Sequence, residues 1–256
     1  MRGIWHRETV ALFLLAAAAP LALTWLLATG VPGLLRLFLV LAIAGFWHLV
    51  FMLARAQPPS FAGALTALAI AVFAPVDLGP LPMLIGISFG VVAGELAFGG
   101  WGRNIVNPAT IAVAFIGFGF PAAPWPTLPV QLGWAAIAVA SIGILTGVLS
   151  WRLLIGAAAI LGAAWHGDLL AGPQLTAAGA VLVLLVADPV TSAATSLGRW
   201  LNGLLYGVLV AVFAHGWQAG AAVQIAISAA LLASLTAPLL DEIATRLWLA
   251  RRKRLG

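Results

Sequence analysis

The sequence predicts an all-helical protein that crosses a membrane several times. Of its 256 residues, 63% are hydrophobic and only 7% are charged, which in a soluble globule of this length would leave apolar area facing water. The apolar residues form runs close to the roughly 20 residues that a helix needs to cross a bilayer. The chain has no cysteine, which excludes disulfides and thiolate-ligated iron–sulfur centres.

Ten apolar runs are the expected transmembrane helices. In order, they cover residues 10–27, 37–53, 61–73, 81–98, 105–120, 132–150, 153–165, 175–187, 200–214 and 221–240. An arginine follows the second and the sixth, and a glycine-rich stretch at 99–102 follows the fourth. Proline-rich or polar segments, which favour turns, follow the third, fifth, seventh and eighth.

The arginines predict that both termini lie in the cytoplasm. Lysine and arginine retain a loop on that side of the membrane, and an inner N-terminus places most of them there. The inner set is Arg55, Arg103, Arg152, Arg199 and the basic tail at 251–254, with Arg36 as the outer exception. The net charge of +5 is therefore interpreted as a topology signal and not as a nucleic-acid surface.

Three blocks of the first half have counterparts in the second. VFAPVDLGP at 72–80 is similar to VADPVTSAA at 186–194, LIGISFGVV at 84–92 to LNGLLYGVL at 201–209, and GGWGRNIVNPATIAVAF to HGWQAGAAVQIAISAAL. The offsets stay between 114 and 117. We predict one membrane domain, 1–256, built from halves 1–131 and 132–256. Because five is an odd number of spans, the second half is inverted in the membrane relative to the first. We expect interrupted helices from the two halves to meet near the midplane.

Polar residues inside the apolar sequence indicate a candidate site, because hydrocarbon offers them no hydrogen-bond partners. Glu95 either belongs to an ion pathway or pairs with Arg103. Asn104 and Asn107 either hydrogen-bond a ligand or cap the fifth helix ahead of Pro108. His48, in the second span, is interpreted as a buried hydrogen-bonding histidine.

A second polar group, at 188–195, follows the eighth span. Its side chains suit a cation or the edge of a ring, or else satisfy freed backbone groups. The members are Asp188, Thr191, Ser192 and Thr195. By the charge rule this group lies on the same side as residues 103–107, so we expect one shared pocket facing the cytoplasm. Catalytic residues and a metal site are not predicted, because no catalytic triad, nucleotide fingerprint or metal-ligand spacing occurs.

Three segments carry a resemblance to a known family: ISFGVVAGELAFGGWGRNIVNPATIAVAF at 87–115, DPVTSAATSLGRWLNGLLYGVL at 188–209 and LTAPLLDE at 235–242. Over residues 60–245 the chain resembles the NqrB/RnfD family, which are membrane subunits of the sodium-translocating NADH:quinone reductase and of the Rnf complex. The resemblance implies ten spans in two inverted halves, a fold related to urea channels, and flavin that passes electrons across a bacterial cytoplasmic membrane. It also implies Na⁺ or H⁺ transport, and partner subunits that include membrane, flavoprotein and iron–sulfur proteins.

Applied to this chain, the resemblance implies a flavin, riboflavin or FMN, beside the polar residues of both groups. The cofactor set is Arg103, Asn104, Asn107, Asp188, Thr191, Ser192 and Thr195. The ion pathway would pass Glu95 and Asp188. An alternative on the same fold is a passive channel or secondary transporter for a small solute or ion, and fold alone does not decide between them.

The sequence departs from the family at the site of covalent flavin attachment. In the family, a threonine of a Ser-Gly-Ala-Thr type sequence in the outer loop after the fifth span carries FMN through its phosphate. Here the only hydroxyl side chain of that loop is Thr127, which lies between prolines. TSAAT at 191–195 ends in Thr195, but its aspartate is displaced and the charge rule places it inside. We therefore expect flavin to bind without a covalent bond.

Overall fold

The structure is a computed structural model that describes residues 6–56, 60–217 and 219–255, with only the backbone described for 253–255. The described residues form nine α-helices. These ranges contain no strand. The helices are α1 (Arg7–Arg55), α2 (Ala62–Phe73), α3 (Pro80–Gly94), α4 (Pro108–Gly119), α5 (Gln131–Leu145), α6 (Trp151–His166), α7 (Gly172–Val181), α8 (Ser196–Gly216) and α9 (Ala222–Leu255). A 3₁₀ turn, Leu96–Phe98, follows α3, and a π-helical turn, Leu182–Val186, continues α7.

Four stretches of the described chain are long and apolar enough to cross a membrane: Arg7–Arg55, Pro80–Phe98, Ser196–Gly216 and Ala222–Arg252. Four more are apolar but shorter: Ala62–Phe73, Pro108–Gly119, Gln131–Leu145 and Gly172–Val186. The prediction of an all-helical protein with several membrane spans is confirmed. The count of ten spans and the inverted repeat stay predictions.

The first helix folds back on itself. Gly30 has φ 64° and ψ −144°, values that glycine adopts without a steric penalty. A straight helix of 49 residues would be about 73 Å long. Yet Glu8 Oε2 accepts hydrogen bonds from Ser60 Oγ and Phe61 N, a few residues after the helix ends at Arg55. The arms of α1, 7–29 and 31–55, therefore run in opposite directions and contain the first two predicted spans.

Several predicted helix boundaries are wrong, and three of them have a clear cause. The fifth helix begins at Pro108 instead of 105, because Asn107 caps it and proline suits the first helical position. The sixth ends at Leu145 instead of 150, ahead of Gly147 with φ 75°. The tenth continues to Leu255 instead of 240, so the basic tail extends the helix.

Small residues allow the closest helix contacts. A Cβ on Gly90 of α3 would lie 2.3 Å from Ala112 Cβ of α4, and a Cβ on Gly203 of α8 would lie 2.1 Å from the Leu153 carbonyl oxygen of α6. Packing of this kind holds helices together in a membrane, where lipid and side chains are equally apolar. Because α4 contacts α2, α3 and α9, it lies at a junction of several helices.

Two interruptions separate helices that follow each other in the chain. The first break, residues 74–79, lies between α2 and α3, and the second break, residues 187–195, lies between the π-helical turn and α8. In the first break the Arg36 guanidinium donates hydrogen bonds to the carbonyl oxygens of Ala74 and Pro75. Val76 N also donates to Pro124 O, at 2.8 Å. Backbone groups freed by this interruption are thus bound by distant parts of the chain.

Candidate functional site

Asn107 connects the start of α4 to the second break. Its Oδ1 accepts hydrogen bonds from Ala109 N at 2.9 Å and Thr110 N at 3.4 Å, which is the N-cap role that the sequence allowed. Its Nδ2 donates to Asp188 Oδ2 at 3.0 Å. One buried amide therefore caps a helix and links two segments 81 residues apart.

Asp188 organises the start of the second break. Its Oδ1 accepts from Val190 N at 3.0 Å, its Oδ2 accepts from Thr191 Oγ1 at 3.3 Å and from Asn107, and its carbonyl oxygen accepts from Ser192 N. The side chain is buried, with 4% of the residue exposed. No lysine or arginine of the described chain forms an ion pair with it. A buried carboxylate satisfied by hydrogen bonds alone is costly, and in a membrane such groups are usually functional.

Glu95 contacts His48 instead of Arg103. Its Oε1 lies 3.3 Å from His48 Nε2, and His48 Nδ1 lies 2.9 Å from the carbonyl oxygen of Ala44. Only 1% of Glu95 is exposed, and its Oε2 has no hydrogen-bond partner in the described residues. Arg103 is exposed, and its guanidinium lies near Gly99. The alternative that Glu95 pairs with Arg103 is therefore wrong.

The predicted glycine-rich break leads from Glu95 to Asn107. Gly99, Gly100 and Gly102 have φ values of 104°, 89° and 98°, a region that other residues rarely adopt. Asn104 is buried, and its Oδ1 accepts from Gly102 N at 3.2 Å. Its Nδ2 has no partner in the described chain. The break thus presents one unsatisfied amide donor beside an exposed arginine.

The remaining predicted residues of the second break separate into two groups. Thr191 is buried against Asp188, and Ser192 is half-buried beside it. Thr195 is engaged elsewhere, because its hydroxyl accepts from Gly198 N at the start of α8 and donates to Asp241 Oδ1 at 2.6 Å. Thr127 is exposed in the loop between α4 and α5. The structure therefore brings Asn107, Asp188 and Thr191 together. Cofactor binding by the predicted set stays a prediction.

Sequence reasoning left three residues of this region out of the site. His48 holds Glu95, Asp241 of α9 binds Thr195, and Thr110 of α4 has a buried Oγ1 without a hydrogen-bond partner in the described chain. The contact between His48 and Glu95 could have been anticipated, because both residues lie in apolar spans and buried charges are usually paired. Thr110 follows Asn107 by three residues, which places it on the capped first turn of α4.

The site as a whole combines two buried carboxylates with unsatisfied polar atoms. Glu95 and Asp188 interact electrostatically. Six buried side-chain atoms have no hydrogen-bond partner among the described residues, and three of them belong to this site: Glu95 Oε2, Asn104 Nδ2 and Thr110 Oγ1. Buried polar atoms are satisfied in most proteins, so exceptions need an explanation. No cluster of three or more metal-ligating side chains occurs in the described residues. The arrangement suits a proton or small cation at the carboxylates and a hydrogen-bonding ligand at the amide.

The comparisons with known proteins point to one family. The model of the NQR2, RnfD, RnfE family matches residues 5–165. Relatives named as a subunit of Na(+)-translocating NADH-quinone reductase come from Pseudomonas aeruginosa, Azotobacter vinelandii and Chromohalobacter salexigens, with identities of 26%, 27% and 26%. The matches cover 66%, 66% and 82% of this chain. The chain spans only 56%, 57% and 65% of the length of these relatives.

Proposed function

The chain belongs to the NQR2, RnfD, RnfE family, and from that premise we propose that it is a membrane subunit of a redox-driven complex that translocates a cation, Na⁺ or H⁺. Electrons pass through a flavin held by this subunit. The names of the relatives describe a sodium-translocating NADH-quinone reductase. Because the chain spans little more than half the length of most of those relatives, their activity is proposed for this chain and is not established by the similarity.

The hydrogen bond between Asn107 and Asp188 is the observation that carries the proposal. It joins the N-terminus of α4 to the second break and fixes a carboxylate in a buried position. Removing a charge from water costs several kcal/mol even after relaxation. Apolar residues in place of buried ionic groups are often neutral or stabilising, so stability alone does not account for this aspartate. An ion pathway does require a buried carboxylate, because its negative charge attracts the cation that is transported.

The ion pathway passes Glu95 and Asp188. Both carboxylates are buried, they interact electrostatically, and neither has a lysine or arginine partner in the described chain. Two interacting carboxylates disfavour full ionisation of both. Entry of one cation relieves that repulsion, so the site binds a cation more readily than either carboxylate alone.

A flavin, riboflavin or FMN, supplies one- and two-electron transfer when it is bound. The orphaned Nδ2 of buried Asn104 fits a ring carbonyl or ring nitrogen, and the exposed guanidinium of Arg103 fits a carbonyl or a phosphate. Thr191 and Ser192 add hydroxyls on the second break. Asn107 and Asp188 bond to each other, so we assign them to positioning these neighbours.

Flavin binds without a covalent bond in this proposal. Thr127 lies exposed in its loop, and the Thr195 hydroxyl is occupied by Asp241 and Gly198 N. Protein that is denatured and run on a gel is therefore expected to carry no flavin fluorescence. A fluorescent band that disappears in Thr127→Ala or Thr195→Ala would contradict this.

The architecture that we propose is two inverted halves, 1–131 and 132–256, with ten spans in a single membrane domain. Helix pairings support it, since α2 and α3 contact α4 as α7 and α8 contact α9, and α4 and α9, the last helix of each half, contact each other. When the two arms of α1 are counted separately, the first half has five helical segments, the same number as α5 to α9 of the second half. The same pairings favour the second candidate function, a passive channel or secondary transporter. A colourless protein that conducts a small solute in liposomes would favour that alternative.

In this proposal the protein lies in the bacterial cytoplasmic membrane with both termini inside. Arg55 and Arg103, together with the tail at 251–254, support this orientation. A reporter that is active only outside the membrane should stay silent when it is fused after Gly256. The other membrane, flavoprotein and iron–sulfur subunits of an Rnf- or Nqr-like complex are the proposed partners. The apolar surface of α1, with Leu27 and Phe38 exposed, contacts lipid or such a partner.

Flavin content of the purified protein tests the proposal. We expect a visible flavin spectrum from the unmodified chain and a roughly tenfold weaker retention in Asn104→Ala, because one buried hydrogen bond is worth about 1–3 kcal/mol. Asn202→Ala is the matched control. Asn202 of α8 is an equally buried amide, and its Nδ2 donates to Ala233 O.

The control separates loss of a ligand contact from general damage. Asn202→Ala should lower stability but leave the flavin content per folded protein unchanged. A colourless unmodified protein would overturn flavin binding. Equal retention in Asn104→Ala and in the unmodified chain would remove Asn104 from the site.

A further inference from the structure

His48 lies between two hydrogen-bond acceptors. Its Nδ1 is 2.9 Å from the carbonyl oxygen of Ala44, and its Nε2 is 3.3 Å from Glu95 Oε1. A carbonyl oxygen only accepts, so Nδ1 carries a hydrogen. In a neutral imidazole the other nitrogen, Nε2, then has a lone pair and no hydrogen. An ionised carboxylate offers Nε2 only lone pairs as well.

The contact between Nε2 and Glu95 therefore requires one additional proton. Either the Glu95 carboxyl is protonated and donates to neutral His48, or His48 is an imidazolium that donates to ionised Glu95. Both forms hold the same single proton and have zero net charge. Without it, two lone pairs face each other and a carboxylate with 1% exposure loses its hydrogen-bond donor, which is costly for a buried charge.

His48 also lines a cavity of about 350 Å³. It runs between the second arm of α1 and the start of α2, and His48 and Ser60 are its polar lining side chains. The ring packs closely against Gly63, where a Cβ would lie 3.2 Å from His48 Nε2, whereas a Cβ on Gly45 would meet nothing within 4 Å. The imidazole both lines this cavity and contacts Glu95, so it connects the buried carboxylate to the cavity.

We propose that His48 and Glu95 together bind one proton and exchange it with water through this cavity. The inference rests on the proposed function, since it names the cation at Glu95 as a proton. Binding takes one proton from water and changes the pair from a net charge of −1 to zero. Release returns the proton to water, and the imidazole then leaves Glu95 towards the cavity, because facing lone pairs repel.

Other charged groups near the pair are few. Asp188 interacts with Glu95 from the second break, and its negative charge favours retention of the proton. α2 contributes no titratable residue. Near the mouth of the cavity, Glu8 accepts a hydrogen bond from Ser60, and Arg55 ends the arm that carries His48. Glu8 also pairs with Arg7 at 3.0 Å, so negative and positive charges are balanced near the mouth. The negative charge of Asp188 is the one that favours the proton-bound form of the pair.

Nuclear magnetic resonance on the purified full chain tests the shared proton. The chain has four histidines, so ¹⁵N-labelled histidine with His48→Gln assigns the His48 signals. We expect His48 ¹⁵N and Glu95 side-chain ¹³C signals to move together through one pH step. In Glu95→Gln that joint step should be lost, because an amide donates to Nε2 and holds His48 neutral. In Glu242→Gln, where the carboxylate is an exposed partner of Arg246, it should persist.

The cavity is tested with single cysteines in a chain that has none. Gly45→Cys lines the cavity, and Phe46→Cys lies at the same depth on the outer surface of the arm. A charged thiol reagent should label the first in membrane vesicles and leave the second unlabelled. Absence of labelling at Gly45→Cys would overturn the exchange route.

Independent titration of His48 and Glu95 in the unmodified chain, or His48 signals unchanged by Glu95→Gln, would overturn the shared proton. Neither measurement depends on flavin or on electron transfer. A colourless protein with a coupled His48–Glu95 step would remove the redox function and keep the proton site. A flavin-containing protein without that step would remove the proton site and keep the redox function.

Discussion

The two breaks have similar sequences, but side chains of opposite charge hold them. In the first break, the cationic Arg36 binds the carbonyl oxygens of Ala74 and Pro75. In the second break, the anionic Asp188 accepts from Val190 N and from Asn107. The end of α2 presents free carbonyl oxygens, and these favour a cation. Backbone N–H groups of the second break favour a carboxylate in the same way.

This difference separates a structural interruption from a candidate site. Ala74 and Asp188 occupy matching places in APV and DPV, 114 residues apart. Arg36 binds backbone oxygens within the first half of the chain. Asp188 instead reaches Asn107, which caps α4 and follows the glycine-rich break. The aspartate that stands in place of alanine connects the second break to Asn107, and so to the glycine-rich break that follows Glu95.

The largest effect is expected from Asp188→Asn. Its amide has one acceptor and one donor in place of two acceptors, so a donor must face either Asn107 Nδ2 or Val190 N. A buried donor without an acceptor, together with the weaker hydrogen bonds that a neutral amide accepts, should cost about 3 kcal/mol of unfolding free energy. Thermal unfolding in detergent measures this as a decrease in Tm of roughly 6–12 °C.

The matched control is Asp77→Asn in the first break. Asp77 is exposed and has φ 57°, and asparagine tolerates that conformation. Its stability should change by less than about 0.5 kcal/mol. Equal losses in the two aspartate variants would show that the breaks do not differ as described.

Arg36→Leu should have the next largest effect. It leaves the carbonyl oxygens of Ala74 and Pro75 without their donor, and Ala74 and Pro75 are buried, which should cost about 2 kcal/mol. Arg36→Lys keeps a donor and should recover part of the loss. Arg55→Leu, at the exposed end of the same helix, should stay within about 0.5 kcal/mol. If Arg36→Leu unfolds at the same temperature as Arg55→Leu, the carbonyl oxygens of the first break are hydrogen-bonded by water and do not need the guanidinium.

Local signals predicted much of the fold and part of the site. Apolar runs located the helical segments, and an asparagine followed by proline predicted the cap of α4, because both residue types have specific preferences at a helix start. The positive φ values of Gly99, Gly100 and Gly102 are ones that glycine adopts readily. The contact of Asn107 with Asp188 was anticipated only through the charge rule, which placed both segments on one side of the membrane.

The contacts that the sequence did not predict join residues far apart in the chain. Three separations illustrate this: 47 positions between His48 and Glu95, 38 between Arg36 and Ala74, and 46 between Thr195 and Asp241. Helical periodicity says which residues share a face of one helix. It does not say which helices pack against each other, and these contacts depend on that packing.

The smallest effects are expected where each break ends and the next helix begins. α8 begins after Thr195, whose hydroxyl accepts from Gly198 N, whereas α3 begins after Gly79, which has no side-chain cap. Thr195→Ala should therefore cost about 1 kcal/mol, and Gly79→Ser should gain a few tenths, roughly 0.3 kcal/mol, by adding a cap. Thr195→Ser keeps the hydroxyl and serves as the control. Chemical denaturation of the three variants measures these changes, and a loss of stability in Gly79→Ser would mean that the end of the first break does not accept the cap that the second break uses.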